Sequence, residues 1–229
     1  MSKTFADFQQ GVAERIQDSA GRLASTAIDN CIREALTGRY SQARPLKKIS
    51  DFSGDGITYQ WVINTTNFPD WIANFSVITD AEYPVGDREP DMLDKEEWII
   101  YWPSSAAPEF RLVELIPISG DILRIGYTVP HAEDASDIPD ADFYGAVNLA
   151  AALSAWRLHA VYNQLGDAAL GGDAVDYRNK AAEYRLLAQD LETGFLVAFG
   201  LDKDLPQPAA SSSAEWRIDP EAGGRKLIH

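Results

Sequence analysis

The sequence predicts an α+β protein in which a helical bundle, built from an N-terminal helix and a long C-terminal helix pair, carries an inserted antiparallel β module and an extended C-terminal arm. Three observations support this. Apolar residues recur at helical spacing before residue 40 and again from 141 to 199, the spacing changes to period two between 59 and 129, and periodicity stops after Gly200. The helical domain is therefore placed at 1–43 and 131–201, the β module at 44–130, and the arm at 202–229.

From Gln17 to Tyr40, Leu23, Ala27, Ile28, Cys31, Ile32, Ala35 and Leu36 follow helical spacing, and Gly38 with Pro45 closes the segment. A shorter amphipathic turn or helix precedes it near Phe5 to Ile16. Tyr59, Trp61 and Ile63 then alternate with Thr58, Gln60 and Val62, the pattern of a half-buried strand. Four more strands are expected at Ser76–Tyr83, Glu97–Trp102, Glu109–Ile116 and Asp121–Val129, each bounded by turn residues. Short connections favour antiparallel pairing. Ser119-Gly120-Asp121 reads as a hairpin joining the last two strands, and the acidic stretch 84–96 as an exposed loop.

After an Asp- and Pro-rich link, the helix Ala141–Leu165 carries two apolar stripes. One is Ala146, Leu149, Leu153, Trp156 and Ala160; the other is Val147, Ala151, Leu158, Val161 and Leu165. A helix apolar over so much of its girth must be covered on more than one side. A three-helix core covers only part of it, so Val147, Ala151, Leu158 and Val161 are assigned to contact with a neighbouring subunit. Gly171-Gly172 ends this helix, Asp173 can cap the next, and Asp176 can reach back to the cap. Along that second helix Tyr177, Ala181, Tyr184, Ala188, Leu191, Phe195 and Ala198 recur at alternating steps of four and three. In the arm, Trp216 flanked by Arg217 and Ile218 suits an anchor for a partner's pocket, with folding back on its own domain as the alternative. Trp216, Arg217, Ile218 and Leu227 are the candidate partner-binding residues.

A chain of 229 residues, 45% of them hydrophobic, can bury a sizeable core as one domain with an inserted module. The single cysteine, Cys31, rules out an intramolecular disulfide, and no stretch is long and apolar enough to span a bilayer. The N-terminus lacks the continuous apolar run of a secretory signal, so a cytoplasmic protein is expected. A formal net charge of −15 argues against a surface that grips nucleic acid, which needs clustered Lys and Arg. It is compatible with a pore whose acidic lining lets DNA slide, although an acidic solvated surface is the plainer reading.

The sequence has no phosphate-binding glycine loop and no Gly-x-Ser-x-Gly, and its three histidines and one cysteine lack metal-ligand spacing. No catalytic, cofactor-binding or metal-ligating residue is assigned, and no cofactor is expected. His159 reads as a residue at the edge of the packed helices. His131 with Glu133, Asp134 and Asp137 can be written as a cation site, but a polar linker placing acids near the positive end of a helix explains them better. Asp51-Phe52-Ser53-Gly54-Asp55-Gly56 matches the first half of a calcium loop; Val62 at position twelve breaks the match, and an Asp-Gly turn is preferred. Trp61, Trp98 and Trp102 suit either a sheet core or a sugar-stacking platform, and the core is preferred.

Taken in order, Arg39-Tyr40-Ser41-Gln42-Ala43-Arg44-Pro45, Glu82-Tyr83-Pro84, Tyr127-Thr128-Val129-Pro130-His131 and Gly172-Asp173-Ala174-Val175-Asp176-Tyr177-Arg178 resemble the head–tail connector (adaptor) proteins of tailed bacteriophages. These are ring proteins placed beneath the portal. The resemblance spans residues 20–200 and lies in order and spacing, without a catalytic signature. It implies a non-enzymatic structural subunit of a phage neck, a homo-oligomer in a twelvefold ring with a central DNA channel. It also implies contacts to the portal protein and to a tail or second connector protein, with assembly in the host cytoplasm. The size of the β insertion and the long arm depart from the family. Two other readings stay open: a virion module that binds a glycan or host surface through the Trp-rich β segment, and an enzyme using carboxylates such as Glu82, Asp91, Glu96 and Glu97.

Overall fold

Thr4 starts the first helix, because its side chain and that of Asp7 satisfy two backbone N–H groups that helix geometry leaves without partners. In the computed structural model, which describes residues 3–86, 90–104, 106–168 and 174–201, the Thr4 hydroxyl accepts from the Asp7 N–H and the Asp7 carboxylate accepts from the Thr4 N–H at 2.7 Å. Helix α1, Phe5–Ile16, buries Phe8, Val12 and Ile16 along one stripe. Gln17 ends it in the left-handed conformation, and Asp18 accepts from the Leu23 N–H at 2.8 Å to hold the loop that follows. Helix α2 therefore spans Ser25–Ala35 and does not begin at Gln17. Leu23 packs on the helical core from the loop, so its spacing imitated a helix. Beyond α2 the chain makes a wide turn at Leu36–Tyr40, kinked at Gly38, and a last short helix α3, Ser41–Ala43.

Six strands follow: β1 Leu46–Ser53, β2 Gln60–Val62, β3 Ile78–Glu82, β4 Trp98–Tyr101, β5 Glu109–Leu112 and β6 Ile122–Val129. They form two antiparallel sheets, ordered β1-β6-β3 and β2-β5-β4. Strand β1 escaped the sequence reading because Lys48 and Ser50 share a face with Leu46 and Phe52 while Ile49 lies exposed on the other, so no apolar alternation marks it. Its pairing with β6 along its whole length makes it a strand.

The expected hairpin between β5 and β6 is also corrected, since the two strands belong to different sheets. The turn around Gly120 meets the turn around Gly54 instead: Gly54 N–H donates to Asp121 at 2.8 Å and Gly56 N–H to Pro117 at 2.9 Å. A side chain on Gly54 would strike the Ile118 carbonyl, which is why glycine stands there.

The two sheets share one core of Ile63, Phe68, Phe110, Leu123, Ile125 and Tyr127. Phe110 is fully buried, stacked on Trp98 at 5.5 Å between ring centroids and 6.1 Å from Trp61. Those two tryptophans thus serve the core.

Helices α4, Phe143–Ala168, and α5, Ala174–Phe199, form the C-terminal pair. The C-terminal end of α5 lies beside the start of α4, where a side chain on Gly145 would collide with the Phe199 ring. Helices α1 and α2 lie across α4, completing a second core that includes Phe8, Ile32, Leu36, Tyr40, Leu149 and Phe195. Asp173, expected to cap α5, lies outside the described residues.

Replacing Phe110 with alanine removes the ring common to Trp61 and Trp98 and should lower unfolding stability by about 3–5 kcal/mol, read as a drop in the urea midpoint with little change in slope.

Candidate assembly surfaces

Helix α4 was expected to leave Val147, Ala151, Leu158 and Val161 for a neighbouring subunit. The structure places them differently. Val147, Ala151 and Leu158 are fully buried by the chain itself, and Val161 is half-buried. The physical reason is the additional helix α1, whose Gly11 brings its backbone so close that a side chain there would begin 3.0 Å from Val147 Cγ1. Polar clamps fix the cover: Arg15 Nε donates to Asn148 Oδ1 at 2.7 Å, and Arg157 reaches the Ala27 carbonyl of α2 and pairs with Glu34 at 3.1 Å. Trp216, Arg217, Ile218 and Leu227 lie outside the described residues.

Apolar side chains that the chain does not cover lie elsewhere. On α5, Leu186 and Val197 are exposed on one side, eleven residues apart and so nearly in line along the helix, and Val197 is 75% accessible. At the start of α4, Tyr144 is exposed. On the outer face of the β2-β5-β4 sheet, Val62, Ile99 and Tyr101 surround Arg111, whose guanidinium pairs with Glu109 at 2.7 Å and lies 3.7 Å from the Tyr101 ring centre. Trp102, at the end of β4, is 72% exposed, whereas Trp61 and Trp98 face inward. The sequence reading preferred the sheet core for Trp102 as for Trp61 and Trp98, and its exposure corrects that; the other residues were not singled out as contacts.

The two cores meet at Ser41 and His131. Ser41 is fully buried; its hydroxyl donates to the Leu36 carbonyl and accepts from the His131 N–H at 2.8 Å. His131 Nε2 donates to the Arg44 carbonyl at 2.8 Å, a bond that fixes the proton on that nitrogen. Nδ1 lies 3.2 Å from Asp137 Oδ1 but out of line for a hydrogen bond. Tyr40 packs against the imidazole at 4.9 Å and donates to Asp142 at 3.0 Å. Burial, reinforced by the Asp142 carboxylate, pushes the Tyr40 phenol above its ordinary range.

The cation constellation written for His131 is otherwise engaged. Asp137 accepts from the Ala132 N–H, Asp134 from the Ser136 N–H and hydroxyl, and Glu133 lies 3.9 Å from Arg33. The half calcium loop is divided: Asp51-Phe52-Ser53 belong to β1, where Asp51 accepts two bonds from Arg124, at 2.8 and 3.0 Å, and the chain turns only after them, with Gly56 at φ +78°. The Asp55 carboxylate accepts the Thr58 hydroxyl and the N–H groups of Thr58 and Ile57, which hold its pKa down to about 2. Among the described residues no group of three or more His, Cys, Asp or Glu is placed to hold a metal. His159 lies half-buried between the paired helices, its Nδ1 donating to the Ala181 carbonyl at 2.8 Å.

One concavity of about 300 Å³ opens between the end of α1 and the helix pair, lined by Ile16, Gln17, Tyr162, Lys180, Tyr184 and Leu187. The rings of Tyr162 and Tyr184 lie nearly parallel, 5.4 Å apart, and Lys180 Nζ sits 5.7 Å from the Tyr162 ring centre. Tyr162 is almost fully buried, so the wall is part of the helical core.

No family model matches the chain, and no curated protein matches it. Among solved structures, a chain from "Neck of empty GTA particle computed with C6 symmetry" aligns with 62% of this chain and 77% of that chain, at 12% identity and a TM-score of 0.28. A likeness at that score assigns neither fold nor role. The class defined by the coordinates themselves is an α+β protein with four main helices, including a C-terminal helix pair, and two small antiparallel sheets.

Two outcomes test the geometry. Ser41→Ala strips the buried His131 N–H of its acceptor and should cost about 1–3 kcal/mol, measured by denaturant unfolding. Asp55 has its folded pKa depressed from 3.8 to about 2, so its contribution is present above about pH 4 and lost as pH falls through about 2. Asp55→Asn should therefore flatten the decline in stability across that window, read from urea midpoints of both proteins at pH 6 and pH 3.

Proposed function

We propose that this chain is a structural ring subunit of a phage neck, joining the portal to the tail or to a second connector ring and bordering the channel through which DNA passes. The observation that carries the proposal is the pair of uncovered apolar surfaces, Leu186 with Val197 on the helical part and Val62, Ile99, Tyr101 and Trp102 on the sheet part. A subunit held between identical neighbours needs two different contact surfaces, and many such contacts acting together can each be weak. The order of sequence segments shared with head–tail connector proteins supports the same reading and makes a twelvefold ring the expected symmetry. The net charge of −15 suits a wall that DNA passes without being held. No catalytic role is proposed.

In this reading Trp216, Arg217, Ile218 and Leu227 engage the portal or the next ring when the neck assembles. A glycan-binding module is less well supported, since Trp61 and Trp98 face the sheet core and Trp102 alone stands clear of it.

Co-expression with the portal protein of the same phage, followed by purification, imaging and subunit counting, tests the proposal. The expected outcome is a ring stacked on the portal that is lost when residues 202–229 are deleted. A chain that stays free of the portal and whose tryptophan fluorescence is quenched by sugars would replace the neck reading with the glycan one.

A further inference from the structure

Strand β4 is the edge of its sheet, and nothing in its sequence protects that edge. Trp98-Ile99-Ile100-Tyr101-Trp102 is an unbroken run of apolar and aromatic residues with high strand propensity, without charge, proline or bulge. The opposite case is β1, an edge strand that carries Lys47 and Lys48. The ladder of β4 shows which groups are free. Val113 N–H donates to the Glu97 carbonyl at 2.9 Å, and in the observed register this puts Ile99 and Tyr101 in the bonded pairs with β5. The N–H and C=O of Trp98 and Ile100 therefore point off the sheet, where no strand of the described residues pairs with them. At one end of this edge stand the exposed acids Asp91, Asp94, Glu96 and Glu97.

We infer that this edge is a docking site for a strand, and that its occupant in the isolated chain is residues 215–218 of the chain's own arm, added antiparallel to β4. The segment Glu215-Trp216-Arg217-Ile218-Asp219 has strict alternation, with Trp216 and Ile218 on one side and charged residues on the other. Setting Trp216 opposite Ile100 and Ile218 opposite Trp98 extends the core-facing row of the sheet by two apolar side chains. Past Ile218 this direction takes the arm beyond the start of β4, toward the turn at Asp94 to Glu97, so the basic pair Arg225-Lys226 follows on the acidic side of the edge. Charge and apolar pattern thus fit in a single direction of pairing.

The arm reaches the edge from its own chain. Thirteen residues lie between Leu201 and Glu215, so fourteen steps of chain give an extended reach of about 46 Å, against a radius of gyration of about 17 Å for a chain of this size. Tethering gives an effective concentration on the order of millimolar, so at micromolar protein the chain's own arm is favoured over that of a second copy. The inference goes beyond the neck reading and does not depend on it.

Hydrogen exchange read by mass spectrometry on the full chain tests it. Amides in the peptide 97–103 should exchange about tenfold or more slowly in the unaltered chain than in a Trp216→Asp/Ile218→Asp variant, with the difference unchanged on dilution. A far- and near-ultraviolet circular dichroism spectrum matching that of the unaltered chain establishes that the variant folds, and an Arg225→Glu/Lys226→Glu variant should show the same loss in part. Equal exchange in the unaltered and variant chains would overturn the proposal. Protection that appears only as protein concentration rises would also overturn it, assigning the edge to a second copy.

Discussion

Covering α4 is the constraint on which the helical part depends. A helix with buried residues on nearly every side gains stability only if each side finds an apolar neighbour at close range. Three devices achieve this within one chain. Ala150, Ala151, Ala152 and Ala155 are buried and narrow the helix, Gly11 brings α1 in against Val147, and Gly145 admits the Phe199 ring from α5. Once these are in place, Arg15 and Arg157 extend to polar groups at the rim, where their charges remain partly solvated. The consequence for assembly is direct: a neighbour cannot contact Val147, Ala151 or Leu158, and the apolar side chains left over lie at Tyr144 at the start of α4, on α5 and on the sheets.

The sheet part is organised around aromatic side chains. Phe110 lies between Trp61 and Trp98, while Phe68 contacts Phe52, Trp71 and Tyr127, so rings from both sheets meet in one cluster. Large rings supply much buried area per residue, which suits strands of only three to eight residues. The outer face of the β1-β6-β3 sheet mixes charge with apolar side chains: Arg124 is held between Asp51 and Glu82, Asp80 fills the space above Gly126, and Ile49 and Ile122 stand exposed beside them. Both sheets therefore show water a mixed face, the second with Arg111 and Glu109 among Val62, Ile99 and Tyr101.

Between the cores lies a short polar network. Ser41 and His131 are both buried, and the two hydrogen bonds that His131 donates, to the Ser41 hydroxyl and the Arg44 carbonyl, join the segment before β1 to the segment after β6. Buried polar groups must be paired to avoid a desolvation penalty, so the network favours one relative placement of helices and sheets over sliding alternatives. The arrangement gives a reason for Ser41 and His131 to stand at those positions, with no need for chemistry at the histidine.

Much of this was legible in the sequence. Periods of 3.6 and 2 located the long helices and five of the six strands, since amphipathic spacing directly records which side of an element meets a core. What sequence could not settle was pairing over distance. Strand β1 has Lys48 and Ser50 on the same face as Leu46 and Phe52 and exists because β6 supplies its hydrogen bonds; the last two strands look like a hairpin locally but are claimed by different sheets. Likewise, spacing showed that α4 needs cover on several sides but not that α1, instead of another subunit, provides it. Local periodicity reports that a surface is buried, and only the tertiary structure decides by what, because that depends on contacts between residues far apart in the chain, such as Ser53 with Ile122 and Gly11 with Val147.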